Sequence, residues 1–470
     1  MLTSLSLRIR IFLFFALLGI GGAAVAELAL WIGYQRAQAT DPASGFLLAG
    51  LIAGFGIVAL AAGVWLLFDE NLAKPIERLA AAMRTRAHAG VEVSVDEKSA
   101  RYLGDLAPAA TAVSTQLSQS TQMTAEAVAE ATARLAGEKE RLTALLSEIP
   151  VAMILVNPNH QIVLYDAQAG EALSQVGPPR LNASIFDYLR RDPILKAHAK
   201  LVKTGKDVAF TVKGKEDRFS FDARLKPLGH APGYMIIIDD AHATFAPDAS
   251  RPVIFDFDLM DREAAQEIAE TPIMGLDFAV FDTETTGLLP HKDEIVQMGA
   301  VRVVNGRIVP GEAINQLVNP GIKIPTSSTK VHRVTDMMVA DAPDPLTVTQ
   351  RFHHFCNGAV IVAHNAPFDM AFMHRYGKQA GLTWDHPVID TVLLSAVLFG
   401  ASETHTLDAL CARLGVVIPP QLRHTALGDA QATAEVLCKM LPMLDSRGFR
   451  TFGEVVAQTR KHGRLLEDLN

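Results

Sequence analysis

The chain has 470 residues, 49% of them hydrophobic and 20% charged, with a mean hydropathy of +0.20 and a formal net charge of −8. That length exceeds what one compact core serves and requires several modules; the acidic balance excludes a global basic field, so any polyanion must be gripped locally. Its three cysteines, Cys356, Cys411 and Cys438, are odd in number and lack the paired spacing of a zinc site, which leaves buried or free thiols in a reducing compartment.

From the N-terminus, Ile11–Gly33 is apolar except for Glu27, and Gly45–Phe68 carries no charge. Each run is long enough to cross a hydrocarbon core of about 30 Å, which takes about 20 helical residues. The loop between them, Tyr34–Ser44, holds a single basic residue, Arg36. Arg8 and Arg10 flank the pair on one side, and Lys74, Arg78, Arg84 and Arg86 on the other. The positive-inside rule therefore places both termini in the cytoplasm. Residues 1–70 are expected to form a two-helix anchor in a cell inner membrane. A cleaved signal peptide fits less well, because the first run is long and no small-x-small site precedes the second. Glu27 is expected to snorkel to the interface rather than act as an intramembrane acid. Gly50 and Gly54 form a G-x-x-x-G that can pack two helices closely.

Residues 71–147 read as helices. Pro75–Leu79 opens an amphipathic helix, a linker covers Gly90–Asp96, and Leu103–Leu117 forms a second helix; this arrangement directly after a span resembles a HAMP relay module. Val128, Leu135, Leu142 and Ile149 fall seven apart, with Ala131 and Leu145 at the offset of three, which suggests a coiled coil and through it a homodimer.

Over residues 148–240 the pattern changes to alternating strands at Met153–Val156, Gln161–Tyr165, Val208–Val212, Arg218–Leu225 and Tyr234–Ile238. A helical stretch, Ile185–Leu189, lies between the second and third. The entry Leu145–Val156 with its turn Asn157-Pro158-Asn159-His160 resembles a PAS domain, a family whose members bind a small ligand or haem or simply dimerise. The ligand is unknown; His160, His198 and His230 are available, but loose histidines are more often plain surface residues. Residues 241–275, with Pro247, Pro252 and Pro272, read as a linker carrying one short helix, Asp261–Glu270.

In the last part, Phe278–Phe281 is a buried strand leading into Asp282 and Glu284. Residues two apart on a strand share a face, so both carboxylates project together while Thr283 points the other way. Such a pair is costly without a cation between its members. Glu294–Val303 is a second strand, closed by the Asn305-Gly306 turn, and Ala313–Val318 a third. After strand Val360–Ala363, His364-Asn365-Ala366-Pro367 turns the chain into a helix and sets Asp369 at its start. His424 and Asp429 would lie about 140° apart on one helix, so His424 is expected in the preceding loop and Asp429 in the helix. Gly428, Ala430, Ala432 and Ala434 would then let that helix approach the sheet.

Residues 276–445 resemble the DEDDh 3′–5′ exonucleases, the family that includes the proofreading epsilon subunit of bacterial DNA polymerase III. The resemblance rests on Phe281-Asp282-Thr283-Glu284-Thr285-Thr286-Gly287-Leu288, on His364–Asp369 and on His424 with Asp429. Val388–Thr391 and His405–Leu410 match internal segments. It implies an α/β ribonuclease H-like fold and hydrolysis with two divalent cations, Mg²⁺ or Mn²⁺, which suit an all-oxygen site. By the same resemblance Asp282 would bridge both ions. Glu284 and Asp429 would hold the ion on the nucleophile side, Asp369 would support the leaving-group ion, and His424 would be the general base. Thr285, Leu288, His332, Asn365 and Phe368 would contact the substrate. Arg333 stands where relatives commonly have glycine, which bears on strand binding. The whole chain thus reads as multidomain: two transmembrane helices, a helical relay, an α+β PAS-like domain, a linker, the exonuclease domain and a tail at 446–470. The expected product is a nucleoside 5′-monophosphate cut from a 3′ end, with DNA favoured over RNA. An oligoribonuclease, or a signalling scaffold that uses the fold for binding, are the alternatives. The tail shows no sliding-clamp peptide, so a polymerase partner is unsupported.

Overall fold

Both apolar N-terminal runs fold as helices, α1 (Leu7–Ala39) and α2 (Pro42–Phe68), in a computed structural model that describes residues 7–39, 42–89, 109, 152–215, 220–229, 231–238, 253–262 and 267–470. The chain divides into two units, Met1–Glu126 and Ala127–Asn470. In the first, α1 and α2 are long and apolar enough to cross a membrane. Helix α1 continues to Ala39, so Arg36 lies in the helix and most of the expected loop is helical. The close approach is not at Gly50 or Gly54, where a Cβ would meet nothing within 4 Å. It is at Gly33, where a Cβ would lie 2.7 Å from Gly45 O and 2.6 Å from Ala49 Cβ. Glu27 is exposed. A π-helical turn, Asp69–Ala73, carries α2 into α3 (Lys74–Ala89), and Lys74 pairs with Glu70 at 2.6 Å. The expected linker, second relay helix and coiled coil between residues 90 and 151 lie outside the described residues, Ala109 apart, as does His230.

The second unit is built on two sheets. The first is antiparallel, in the order β3-β4-β5-β1-β2-β6: β1 (Ala152–Val156), β2 (Ile162–Tyr165), β3 (Val208–Lys213), β4 (Ser220–Pro227), β5 (Tyr234–Ile238) and β6 (Ile254–Phe255). Helices α4 (Ala167–Ser174) and α5 (Arg191–Thr204) connect β2 to β3, and Ile185–Asp187 is only a 3₁₀ turn. The segment expected to be a linker contributes β6 and a 3₁₀ helix, Phe257–Asp261, whose Leu259 is fully buried in this sheet's core. The apolar face of β6 and Leu259 has no helical or alternating period to reveal it, being too short.

The second sheet runs β11-β10-β7-β8-β9, with β7 (Phe278–Thr285), β8 (Ile295–Val304), β9 (Arg307–Leu317), β10 (Val360–Ala363) and β11 (Val388–Asp390). Strands β7, β8 and β9 are antiparallel, while β10 pairs parallel with both β7 and β11. One core gathers Phe281, Phe352, Phe355 and Phe372 from β7, α8 (Pro345–Cys356) and α9 (Ala366–Ala380), the last two following the short helices α6 (Thr326–His332) and α7 (Asp336–Val339). Helices α10 (Thr391–Phe399) and α11 (Leu407–Leu414) lead to α12 (Ala426–Ser446), which lies across β7 and β8; α13 (Phe452–Thr459) follows. Buried strands with apolar runs on both faces are what helices packed above and below a sheet require.

Candidate active site

The first side chains of the site follow from the pleat of β7. Asp282 and Glu284 are partly buried and share a face, between the buried Phe281, Thr283 and Thr285. Across the ladder Asp282 lies opposite Gly299, and Glu284 opposite Gln297. Both partners serve the next step, the arrival of α12. A Cβ on Gly299 would stand 2.2 Å from the backbone of Ala426 and Leu427, so the helix begins directly on the strand because that position has no side chain. Gln297 Oε1 accepts the Ala426 N–H at 3.3 Å and its Nε2 donates to Asn315 at 3.0 Å, while Thr425 caps the helix on Gly428 N at 3.1 Å. Gly428, expected to ease contact with the sheet, instead makes room for the preceding loop: a Cβ there would meet Leu422 O at 2.0 Å.

The outcome is that Asp282, Glu284 and Asp429 bring ligand oxygens within 4.8 Å of one another, in the one group of this kind among the described residues. Asp369 stands outside that group. It is buried in the first turn of α9, where its Oδ1 accepts from Thr283 N at 3.1 Å and Thr283 Oγ1 at 2.5 Å. Thr283, turned away from the acidic pair, thus has a task the sequence did not suggest. His424 is exposed in the loop before α12, at a left-handed φ of 57°. Of the expected substrate residues, Leu288 is 83% exposed and Asn365 is exposed at the N-cap of α9. Thr285 is buried and donates to Gly287 O at 2.7 Å, His332 is buried with Nδ1 accepting from Val334 N at 3.0 Å, and Phe368 packs edge-on against Phe372.

Electrostatics set this cluster apart. Burial pushes Asp282 well above the usual carboxylate range, and Asp369, Glu284 and Asp429 add charges of its own sign. Glu284 rises to about 8 through burial, then Asp429 and Asp369. Burial also raises Asp429, against the opposing influence of His424, and raises Asp369, against its two bonds from Thr283. His364, by contrast, is driven down to about 4 by burial and shares a 2.8 Å hydrogen bond with Thr391, which makes it a structural residue. Asp390 accepts from Ala366 N at 2.5 Å and Val392 N at 2.7 Å, fixing the starts of α9 and α10. The sequence signal for Gly299 was a glycine inside an apolar strand, and for Asp390 the family-like segment Val388–Thr391; Gln297 gave none beyond being polar in a strand.

A family model described as Exonuclease matches residues 279–437. The chain is therefore similar, in its C-terminal part, to a class of nuclease hydrolases with an α/β fold. Over its full length it is 34% identical to a DNA polymerase III subunit epsilon-like protein of Rhodobacter capsulatus, with 100% of both chains covered. The chain belongs to that epsilon-like family. A DNA polymerase III PolC-type of Caldanaerobacter subterraneus is 40% identical over 179 residues, which are 38% of this chain and 12% of that protein. Among solved structures, Exonuclease X in complex with 5′ overhanging duplex DNA is 30% identical, with 39% of this chain and 99% of that chain covered at a TM-score of 0.31. E. coli Exonuclease I in complex with a dT13 oligonucleotide is 18% identical, with coverages of 37% and 42% and a TM-score of 0.34.

Proposed function

We propose that the chain is a membrane-anchored 3′–5′ exonuclease that releases nucleoside 5′-monophosphates from single-stranded DNA ends. The observation that carries the reading is the convergence of Asp282, Glu284 and Asp429 from a strand and a helix far apart in sequence. Three carboxylates held this close, each pushed toward holding a proton, fit a divalent cation better than any other occupant, and an all-oxygen donor set favours Mg²⁺ or Mn²⁺ over zinc. Asp282, Glu284, Asp429 and, from beside Thr283, Asp369 would hold two such ions. Bound there, the ions would neutralise the phosphodiester and make water a better nucleophile. His424, on its exposed loop, takes the proton from the attacking water, a task suited to imidazole. Leu288 and Asn365 present exposed side chains to the terminal nucleotide, with Thr285, His332 and Phe368 shaping the wall behind them.

The name of the R. capsulatus relative supports DNA over RNA. Helices α1 and α2, with basic residues outside the pair, support a hairpin anchor with both ends and the nuclease on the cytoplasmic side. The helix that follows supports the HAMP-like reading, and the antiparallel sheet with helices between its second and third strands supports the PAS-like one. Chromatography of the products tests the reading. With Mg²⁺ and single-stranded DNA, nucleoside 5′-monophosphates are expected, and none with EDTA; 3′-monophosphates or internal fragments would overturn it.

A further inference from the structure

The two sheets of the second unit are not joined like beads on a linker. Val304 of β8 and Val309 of β9 belong to the hydrophobic core of the first sheet. The β8–β9 ladder jumps from Val301↔Ala313 to Val303↔Ile308, so β9 bulges out opposite Arg302. The bulge carries Gly311, at φ 91° and so close to β6 that a Cβ would meet Ile254 Cδ1 at 2.8 Å. It also carries Glu312, buried beside the first sheet, where its Oε1 accepts from Leu181 N and from Tyr165 OH at 3.1 Å. Arg302, 1% exposed, lies 3.7 Å from Glu312 and 3.6 Å from Asp277. Asp277 in turn accepts from Asn182 at 2.6 Å and from Arg262 at 2.8 Å. Arg180, equally buried, donates to Asn357 O at the end of α8, and Gly177 touches the ring of His354 so closely that a Cβ would fall 2.4 Å from its Nε2.

We infer that the module built on the first sheet is a positioning element of the nuclease, acting through this buried ionic seam on β8. The inference rests on the nuclease reading and deepens it by naming how that site is regulated. Arg302 and Gly299 are neighbours on one continuous strand, about 10 Å apart at roughly 3.3 Å per residue. Gly299 and Gln297 carry the N-terminus of α12, and with it Asp429. Seating the module fixes β8 at one end; the third carboxylate is fixed at the other. A change in the first-sheet module reaches the metal site along this strand, with no movement of one body over another required.

The test uses the full chain in detergent and compares it with Gly177→Leu, which wedges the seam at His354, and with the milder Glu312→Gln. Three quantities are read: the number of calorimetric transitions, Mn²⁺ affinity by titration well below them, and cleavage rate. The wedge is expected to split one transition of the second unit into two and to weaken Mn²⁺ binding about tenfold, the size usual for groups that hold metal ligands in place. Glu312→Gln is expected to weaken it in the same direction, and it decides the matter if the wedge fails to fold. Transitions that split while Mn²⁺ affinity stays that of the wild type would overturn the inference, as would a wedge that changes neither. If the wild type binds Mn²⁺ without cleaving, the nuclease reading fails, while the affinity comparison still decides this one.

Discussion

At the scale of single residues, the placement of the acids was legible, because carboxylates two apart on a strand share a face and because His424 and Asp429 could not share one side of a helix. What spacing could not give was the detail of support. Thr283 donates two hydrogen bonds to Asp369, and nothing in a D-T-E run says which neighbour a threonine will meet. Arg333 illustrates the reverse. Its departure from glycine reads as bearing on substrate binding; it also sits at φ 64° as the C-cap of α6, where glycine is the residue that fits without strain. Arg333→Gly is therefore expected to raise stability by about 1 kcal/mol in denaturant titration, the usual cost of a left-handed side-chain residue.

The crowding of acids also has a sign. Glu284 sits near 8 in the fold against 4.5 unperturbed, so the stability linked to its proton is full below about 4.5 and lost as pH climbs through about 8. Metal-free protein should lose stability between about pH 7 and 8.5, above the range in which the histidines lowered by burial still matter. Glu284→Gln should flatten that slope, and Mg²⁺ should raise the unfolding midpoint more at the upper pH than at the lower. A metal-free midpoint that climbs over this window would contradict the picture.

Among elements, β7, β8, β10 and α12 were readable from apolar runs and small residues, while β9 was recognised only in its second half. The reason is its bulge: the alternation that marks a strand breaks at Val309–Glu312, where the chain leaves the ladder to meet the other sheet. An exacting contact lies between β8 and α12. Gly299→Ala puts a methyl group into the backbone of Ala426 and Leu427, at 2.2 Å, where no flexible side chain can yield. It should cost about 1–3 kcal/mol in stability, as overpacking does. It should also lower cleavage more than stability alone explains, because the displaced helix carries Asp429; an active Gly299→Ala enzyme of unchanged metal affinity would argue against this geometry.

For the molecule as a whole, the two apolar helices and the C-terminal exonuclease domain were visible in the sequence, but the joint between the two sheets was not. Pro247, Pro252 and Pro272 suggested a spacer, whereas Leu259, Arg262 and Asp277 are locked into shared cores and ion pairs. Charges buried between modules are signalled only by being charged, which surface residues are as well. Arg302→Ala leaves Glu312 and Asp277 buried beside a missing cation and is expected to cost about 3–5 kcal/mol, seen as a lowered unfolding midpoint of the second unit. The same seam implies that a fragment starting at Ile273 would bare Val304 and Val309 and strip Glu312 of Tyr165 and Leu181, so activity belongs to be measured on the full chain. The most direct measurement is the digestion of 5′-labelled single-stranded DNA, beside RNA, by the full chain with Mg²⁺ or Mn²⁺, with Asp282→Ala in parallel. A ladder that shortens from the 3′ end, faster on DNA, and disappears in Asp282→Ala is the predicted result; undiminished cleavage by Asp282→Ala, or none by the wild type with either metal, would contradict the account.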